Sequence, residues 1–257
     1  MSLNYPVPNV LPVSAIAQDD NAFSGPPHRH PDAQLIYAKS GVVSVTTDND
    51  TWVVPPNRAV WVPAMTEHAT RSHGAVEFRT LFIHPEAALS LPKICGVVEV
   101  TPLLRELILR LVTLNNEPIT PFARHVSELL LEELSLLPAE PLSLPIPTDA
   151  RLRNLCLKLQ RSPEMNISLE DAANLTGMSR RSFMRHFEEA TGMTFGRWHQ
   201  QSRLLAALPA LAQGQTIMSV ALDCGYQSVS AFTNAFKRSL GRKPSHYFSY
   251  KNNSLQE

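Results

Sequence analysis

The sequence predicts an α+β protein with two domains: a β-barrel or jelly roll ending in two antiparallel helices, then an all-α domain with two helix-turn-helix motifs. Short β-branched segments fill the chain up to about residue 84, leucines then recur at helical spacing, and the C-terminal part contains an internal repeat. A chain of 257 residues, of which 44% are hydrophobic and 18% charged, can bury two cores. This composition argues against a disordered protein.

Four segments of the first domain have the composition of strands. They are rich in β-branched and aromatic residues and are separated by glycine, by proline pairs and by an Asp-Asn-Asp turn. The predicted strands span residues 42–47, 51–54, 59–62 and 77–83. Strands this short, with turns this close, favour a barrel or jelly roll over a parallel sheet.

Leucine spacing predicts two amphipathic helices, over residues 101–114 and 119–137. Their apolar residues recur at steps of three and four, and glutamates occupy the other faces. Two interpretations are open. The leucine seam either pairs two copies of the chain in a homodimer, or both helices pack on the barrel.

Proline density marks a boundary after the second helix. Pro138, Pro141, Pro145 and Pro147 suit neither a helix nor a central strand. Residues 1–147 hold 9 basic and 15 acidic side chains, a charge of −6, whereas residues 148–257 hold 14 and 8, a charge of +6. The net charge of zero is therefore a cancellation, and the basic part is the candidate for binding an anionic polymer.

The predicted organisation has four parts. Residues 1–100 form the first domain, 101–137 the helical pair, 138–150 a proline-rich linker and 151–252 the basic domain. The start of the chain has no signal-peptide pattern, and no apolar run is long enough for a membrane helix. A cytoplasmic protein that contacts no membrane is expected, with its three cysteines reduced.

The basic part repeats itself with a shift of 48 to 49 residues. In each copy a hydroxyl residue caps a short helix, a glycine ends it, a serine caps the next helix and two phenylalanines pack inward. The matching residues are Ser168, Gly177, Ser179, Phe183, Phe187 and Gly192 in the first copy, and Thr216, Gly225, Ser228, Phe232, Phe236 and Gly241 in the second. Helix-turn-helix motifs are therefore predicted at about residues 168–189 and 216–239.

The second helix of each copy has a polar or basic outer face. Ala190 and Ala235 are expected to pack inward with the phenylalanines. In the major groove of double-stranded DNA, Arg contacts guanine and Asn contacts adenine, while flanking cations hold phosphates. The candidate DNA-contacting residues are Arg180, Arg181, Ser182, Met184, Arg185, Val229, Ser230, Thr233, Asn234, Lys237 and Arg238. A plain helical bundle with a solvated charged face is the alternative, which the duplicated caps and glycines disfavour.

The run from residue 167 to residue 247 closely resembles the AraC/XylS family of bacterial transcriptional regulators, whose DNA-binding domain holds two helix-turn-helix motifs bridged by a long helix. Three family elements match in spacing: Ala-x-x-x-Gly-Phe/Tyr at 221–226, Ser-x-x-x-Phe-x-x-x-Phe-Lys at 228–237 and Gly-x-x-Pro-x-x-Tyr at 241–247. The resemblance implies base-facing positions for Arg181, Met184, Arg185, Val229, Ser230 and Asn234.

Two positions depart from the family pattern. Phe195 stands where the family usually has proline, and Pro209 falls inside the expected bridging helix, residues 197–212. An interior proline costs about 3 kcal/mol unless the helix kinks or ends there. The angle between the two motifs is therefore left open.

Part of the first domain resembles the two short motifs of a cupin barrel, the sensor module common in AraC-like regulators. His28, His30, Gln34 and His68 stand where metal-binding cupins have three histidines and a glutamate, and Met65 replaces a glycine of the second motif. Three interpretations stay open: a divalent metal such as Zn²⁺, Ni²⁺ or Fe²⁺, a metal-free pocket for a small-molecule effector, or a purely structural role. Arg58 and Trp61 join the effector-binding candidates, because a ring and a cation at a barrel mouth can hold a flat or anionic molecule.

These observations predict an effector-responsive, sequence-specific transcriptional regulator that is not an enzyme. It is expected to bind promoter or operator DNA as a homodimer and, if it activates, to contact RNA polymerase. The run over residues 52–63 is similar to one in regulators of neighbouring efflux genes, which implies repression of a transporter gene. The alternative is a metal-dependent cupin enzyme fused to a DNA-binding tail, which Gln34 in place of a carboxylate disfavours.

Overall fold

The computed structural model describes residues 11–115, 117–136, 139–140 and 143–248, and the chain divides into two compact units. The first unit consists of residues 1–43 and 56–142, and the second of residues 44–55 and 143–257. The described strands are β1 Val13–Asp20, β2 Ser24–His28, β3 Ala33–Ser40, β4 Val43–Thr46, β5 Asp50–Val54, β6 Arg58–Val62, β7 His68–Ser72, β8 Val76–Ile83, β9 Gly96–Glu99, β10 Ala139–Glu140 and β11 Ser143–Pro145. The described helices are α1 Pro102–Leu114, α2 Pro121–Leu136, α3 Ala150–Arg161, α4 Leu169–Leu175, α5 Arg180–Thr191, α6 Phe195–Ala212, α7 Ile217–Asp223, α8 Val229–Leu240 and α9 Pro244–Tyr247. None of them combines the length and the apolar character that crossing a membrane requires.

The first unit contains an antiparallel sheet in the order β1-β8-β3-β6-β9-β10. Leu35 of β3 lies between Trp61 of β6 and Leu81 of β8, and all three side chains point to the same face. Helices α1 and α2 cover this face, so that Leu104 and Leu130 are fully buried in one cluster with the strand residues. The inner faces of the helical pair therefore pack on the sheet of their own chain, and only their outer faces are left for pairing two chains.

Part of the predicted linker, residues 138–150, forms a short edge strand. Strand β11 pairs antiparallel with β5, so that Ser143 lies opposite Trp52, and α3 begins at residue 150. Pro145 is compatible with this strand because β11 is an edge strand and needs ladder hydrogen bonds on one side only. The predicted positions Pro138 and Pro141 lie outside the described residues.

The second unit is built around α6. Trp198 of α6 is fully buried and donates its indole N–H to the Pro145 carbonyl at 2.7 Å, which ties the short strand β11 to the helix. On another side Trp198 meets Phe187 of α5 edge to face, with ring centroids 5.9 Å apart. Helices α3, α5, α7 and α8 all contact α6. One helix thus supports both helix-turn-helix motifs.

The predicted caps and turns of the repeat are confirmed. Ser168, Ser179, Thr216 and Ser228 each accept a hydrogen bond from the backbone N–H three residues on. Gly177 and Gly225, which end the first helix of each motif, have φ angles of +66° and +71°, in the left-handed region that favours glycine.

One inward position of the repeat was predicted wrongly. Ala190 is exposed, whereas Thr191 is buried and donates its hydroxyl to the Phe187 carbonyl at 2.7 Å. The buried residues of α5, Phe183, Phe187 and Thr191, follow one another at steps of four residues. Ala190, three residues after Phe187, therefore lies outside this buried stripe. In α8 the predicted Phe232, Ala235 and Phe236 are buried.

Both departures from the family pattern lie in α6. Phe195 occupies the first helical position, after the cap Thr194, where a proline is also well tolerated, and its ring packs against Phe183 and Phe187. Pro209 lies inside the helix, which continues to Ala212. The bridging helix is therefore one element in spite of its interior proline.

Gly225 and Gly177 form a matched pair for a test of the turns. A Cβ at Gly225 would lie 2.7 Å from the Glu164 backbone oxygen, whereas a Cβ at Gly177 meets no atom of the described residues within 4 Å. We expect Gly225→Ala to lower the free energy of unfolding by about 2–4 kcal/mol, because left-handed strain and a backbone clash add. Gly177→Ala carries the strain alone, about 1–2 kcal/mol. Denaturant unfolding of both variants measures the difference, and equal losses would contradict the clash.

His199 of α6 predicts a pH dependence of stability. Burial, together with the nearby Arg203 cation, lowers the pKa of His199 against an opposing backbone hydrogen bond with Met165. Below about pH 6.5 the unfolded chain gains a proton that the folded state resists, so stability falls as the pH drops from 7.5 to 5.5. His199→Phe keeps the ring that stacks on Phe195 and should reduce this loss. Melting temperatures at both pH values test it; an identical pH slope in parent and variant would show that His199 contributes nothing.

Candidate nucleic-acid interface and histidine cluster

The outer face of α5 carries the predicted residues of the first motif. Arg180, Arg181 and Arg185 are exposed, and Met184 is 48% exposed. The buried phenylalanines fix this orientation, because they hold the opposite side of the helix in the core. Arg185 Nε lies 3.9 Å from the Glu189 carboxylate, an exposed pair one turn apart that is worth little energy and leaves the guanidinium available.

The outer face of α8 is less basic. Val229 is 40% exposed, Ser230 and Asn234 are exposed, and Thr233 is half-buried. Lys237 and Arg238 stand in the last turn of the helix, where cations also interact favourably with its C-terminal carbonyl groups. Of the predicted residues, Ser182 and Thr233 are the half-buried ones.

Arg203 positions the second motif, a role that the sequence analysis did not assign. This residue of α6 donates its Nε–H to the Cys224 carbonyl, and its guanidinium carbon lies 4.4 Å from the centroid of the Tyr226 ring. Both contacts are made to the turn between α7 and α8. The signal in the sequence is an arginine directly before the apolar run of the bridging helix, which by itself does not show what the cation contacts.

Three histidines of the first unit meet as predicted. His28 at the end of β2 lies opposite His68 at the start of β7, and His30 lies two residues after the end of β2. One ring nitrogen of each histidine lies within 4.8 Å of the others. His68 is buried, His30 half-buried and His28 exposed, so the cluster opens to solvent on one side. Burial lowers the pKa of His68, which favours its neutral form.

Gln34 of β3 completes the cluster. Its Oε1 lies 2.8 Å from His68 Nε2 and 3.2 Å from His30 Nε2, and its amide nitrogen donates to Thr80 Oγ1 at 2.7 Å. Thr80 of β8 is a partner that the sequence analysis did not identify. It was hidden because β3 and β8 are distant in the sequence and adjacent in the sheet.

Met65 takes the place of the glycine in the second cupin motif and keeps the backbone conformation of that glycine. Its φ angle is +61°, so the backbone keeps the left-handed conformation that glycine adopts at no cost. Its N–H donates to the His30 carbonyl at 2.9 Å, which ties this turn to the histidine cluster. The strain at a non-glycine residue here is of the order of 1–2 kcal/mol.

Two predicted effector residues do not join the histidines. Trp61 is 2% exposed, belongs to the core under α1 and α2 and donates its N–H to the Pro92 carbonyl at 2.8 Å. Gln34 pairs with Val62, the residue next to Trp61, so the two side chains point to opposite faces of the sheet. Arg58 is buried at the other end of β6, 3.6 Å from the Glu99 carboxylate.

Comparison with known proteins agrees with this architecture. Residues 10–155 match the model of an AraC-like ligand binding domain, and residues 172–250 match that of a helix-turn-helix domain. The chain is 35% identical to the HTH-type transcriptional regulator NimR of Escherichia coli (strain K12) over 229 residues, which is 88% of this chain and 82% of NimR. The chain belongs to the AraC/XylS family.

Two further matches are either shorter or lower in sequence identity. The HTH-type transcriptional regulator RipA of Corynebacterium glutamicum is 34% identical over 101 residues, 39% of this chain and 30% of RipA. The crystal structure of unsaturated fatty acid bound ToxT from Vibrio cholerae strain SCE256 covers 96% of this chain and 97% of its own, with 13% identity and a TM-score of 0.39. A likeness of that degree adds nothing to the assignment.

As a member of the AraC/XylS family, the chain is a DNA-binding transcriptional regulator. Its cupin-like ligand-binding domain carries the histidine cluster, and its helix-turn-helix domain carries the exposed faces of α5 and α8.

Proposed function

We propose that the outer faces of α5 and α8 read the operator sequence. Arg181, Met184 and Arg185 contact base edges from the first motif, and Val229, Ser230 and Asn234 do so from the second. Arg180, Ser182, Thr233, Lys237 and Arg238 contact the backbone or support the helices that do. The observation that carries this proposal is the duplication: two capped helices, each with buried phenylalanines behind it and a polar face in front, lie in one unit.

Charge supports the same assignment. Lys and Arg residues bind phosphates whatever the base sequence, and this attraction weakens as salt rises. Base contacts add the sequence preference, because Arg matches guanine and Asn matches adenine in the major groove. Two readers in one chain can follow successive major-groove segments, about 34 Å apart.

The remaining parts of the proposed function concern regulation. A small-molecule effector bound to the first unit shifts the balance between conformations that differ in DNA affinity. The target that the sequence resemblance favours is a neighbouring transporter gene, repressed by the chain. If the chain activates instead, RNA polymerase is its further partner. The relatives are regulators, and on that ground we infer a protein that acts on cytoplasmic DNA and catalyses no reaction.

The base readers are tested by gel-shift titration with DNA from upstream of the protein's own gene. Arg185→Ala and Asn234→Ala should each cost about 1–3 kcal/mol on the operator and relax the preference at one base pair, because a base contact is lost. Lys237→Ala should weaken binding to all DNA sequences by a similar factor, because a phosphate contact is lost. It should also lower the slope of log affinity against log salt concentration by about one.

Arg71→Ala is the matched control for these variants. It removes one exposed positive charge from β7 of the first unit and should leave affinity and preference unchanged. If Arg185→Ala and Asn234→Ala behaved like this control, α5 and α8 would not be the readers.

We also propose that α1 and α2 join two chains in a homodimer. Their inner faces are buried in the first unit, yet several large apolar side chains remain outside. Leu103, Phe122, Leu129 and Leu136 are 47%, 52%, 43% and 79% exposed. An apolar face of this kind on an already packed helix pair suits a two-fold interface.

The dimer is tested with Leu129→Glu. A buried carboxylate at the interface is costly, so we expect self-association to weaken at least tenfold in sedimentation velocity. Leu89→Glu is the control, because Leu89 is 72% exposed in the same unit but lies outside both helices. A parent chain that sediments as a monomer, or equal behaviour of the two variants, would overturn the proposed interface.

A further inference from the structure

The backbone around the histidine cluster determines which ring nitrogens face its centre. Nδ1 of His28 lies 2.8 Å from the Pro26 carbonyl, Nδ1 of His30 lies 2.7 Å from the Asp32 carbonyl, and Nδ1 of His68 lies 2.9 Å from the Thr66 carbonyl. A carbonyl oxygen accepts and never donates, so each Nδ1 carries the proton. In a neutral imidazole the other nitrogen, Nε2, then has a lone pair and no hydrogen.

Gln34 adds a fourth lone pair to this space. While its amide nitrogen donates to Thr80 Oγ1, its Oε1 faces Nε2 of both His30 and His68 at 3.2 and 2.8 Å. An amide oxygen opposite a bare imidazole nitrogen puts two acceptors together with no hydrogen between them. The facing lone pairs repel one another, and a cation bound between the four groups removes this repulsion.

We propose that His28, His30 and His68, together with Gln34 Oε1, form a binding site for a divalent transition metal of the Zn²⁺ class. Backbone carbonyls that hold Nδ1–H orient each ring for metal binding through Nε2, as outer-shell partners do in metalloproteins. The proposal does not depend on how the chain reads DNA.

The donor set selects among metals. Three imidazoles and one amide oxygen are neutral, which suits Zn²⁺, Co²⁺ and Ni²⁺ and disfavours Mg²⁺ and Ca²⁺, since these hard ions need more oxygen ligands. Zn–N bonds of about 2.0–2.1 Å bring tetrahedral ligands to roughly 3.4 Å from one another. The ring nitrogens lie within 4.8 Å of each other, so metal binding requires the rings to move slightly closer together.

A turned amide is the competing arrangement. If the Gln34 NH₂ group pointed at the imidazoles, it would donate to them, and Thr80 would donate to the amide oxygen. The cluster would then be a hydrogen-bonded network that is satisfied without a metal. The two arrangements differ in one measurable property, stoichiometric metal binding at this place.

The test uses the full chain, freed of metal with a chelator and titrated with Zn²⁺ and with Co²⁺. We expect one metal per chain by equilibrium dialysis and elemental analysis, visible absorption bands of nitrogen-bound Co²⁺, and a melting temperature about 5–10 °C higher at a hundredfold excess over the dissociation constant. His28→Ala and His30→Ala should each weaken binding at least tenfold. His84→Ala, an exposed histidine of the same unit outside the cluster, should change nothing.

Gln34→Glu keeps the test decisive if the alanine variants fold poorly. A carboxylate adds a negative charge at the metal and should tighten Zn²⁺ binding about tenfold or more, a gain that a misfolded variant cannot produce. Substoichiometric metal in the parent chain, or equal affinity in the parent, His28→Ala and Gln34→Glu, would overturn the site. Gel shifts on the same samples report DNA binding separately, so either proposal can fail alone.

Discussion

Burial of α6 is the constraint on which the DNA-binding unit depends. Trp198 near its start contacts α5 and the short strand β11, and Arg203 further along holds the turn of the second motif. Each helix-turn-helix motif is too small to bury its own phenylalanines on both sides, so it needs the shared helix as a second layer. The direction in which α5 and α8 present their polar faces follows from this packing.

The sheet of the first unit separates two kinds of chemistry by the alternation of its side chains. On one face Leu35, Trp61 and Leu81 pack beneath α1 and α2. On the other, Gln34 and Thr80 lie beside the histidines of β2 and β7. Because neighbouring residues of a strand point to opposite faces, an apolar core and a polar cluster can share the same strands. Left-handed Met65 marks the strained turn beside the polar cluster.

Local patterns were readable in the sequence, and long-range pairings were not. The caps Ser168, Ser179, Thr216 and Ser228 act within four residues of their helices, so the repeat revealed them directly. Strand β3 was not predicted from the sequence. Its first six residues are all buried, because both faces of the strand are covered, so the alternation of polar and apolar residues that indicates a strand is absent. Residues 44–55 belong to the second compact unit, although no change in composition along the chain marks them off from the first domain. With Asp48 and Asp50 counted there, that unit has 14 basic and 10 acidic side chains, a charge of +4 rather than +6.

The sequence by itself determined the family, the two helix-turn-helix motifs and the histidines of the first domain, because spacing along the chain encodes each of them. Only the tertiary structure decided which candidates act together. Trp61 points away from the histidines because it is adjacent to Val62, the residue that pairs with Gln34. Thr80 contacts Gln34 from the neighbouring strand β8, and Arg203 of α6 contacts the turn between α7 and α8. The physical reason is that such contacts join residues far apart in the chain, where the pairing of strands and helices, and not their own sequence, sets the distance.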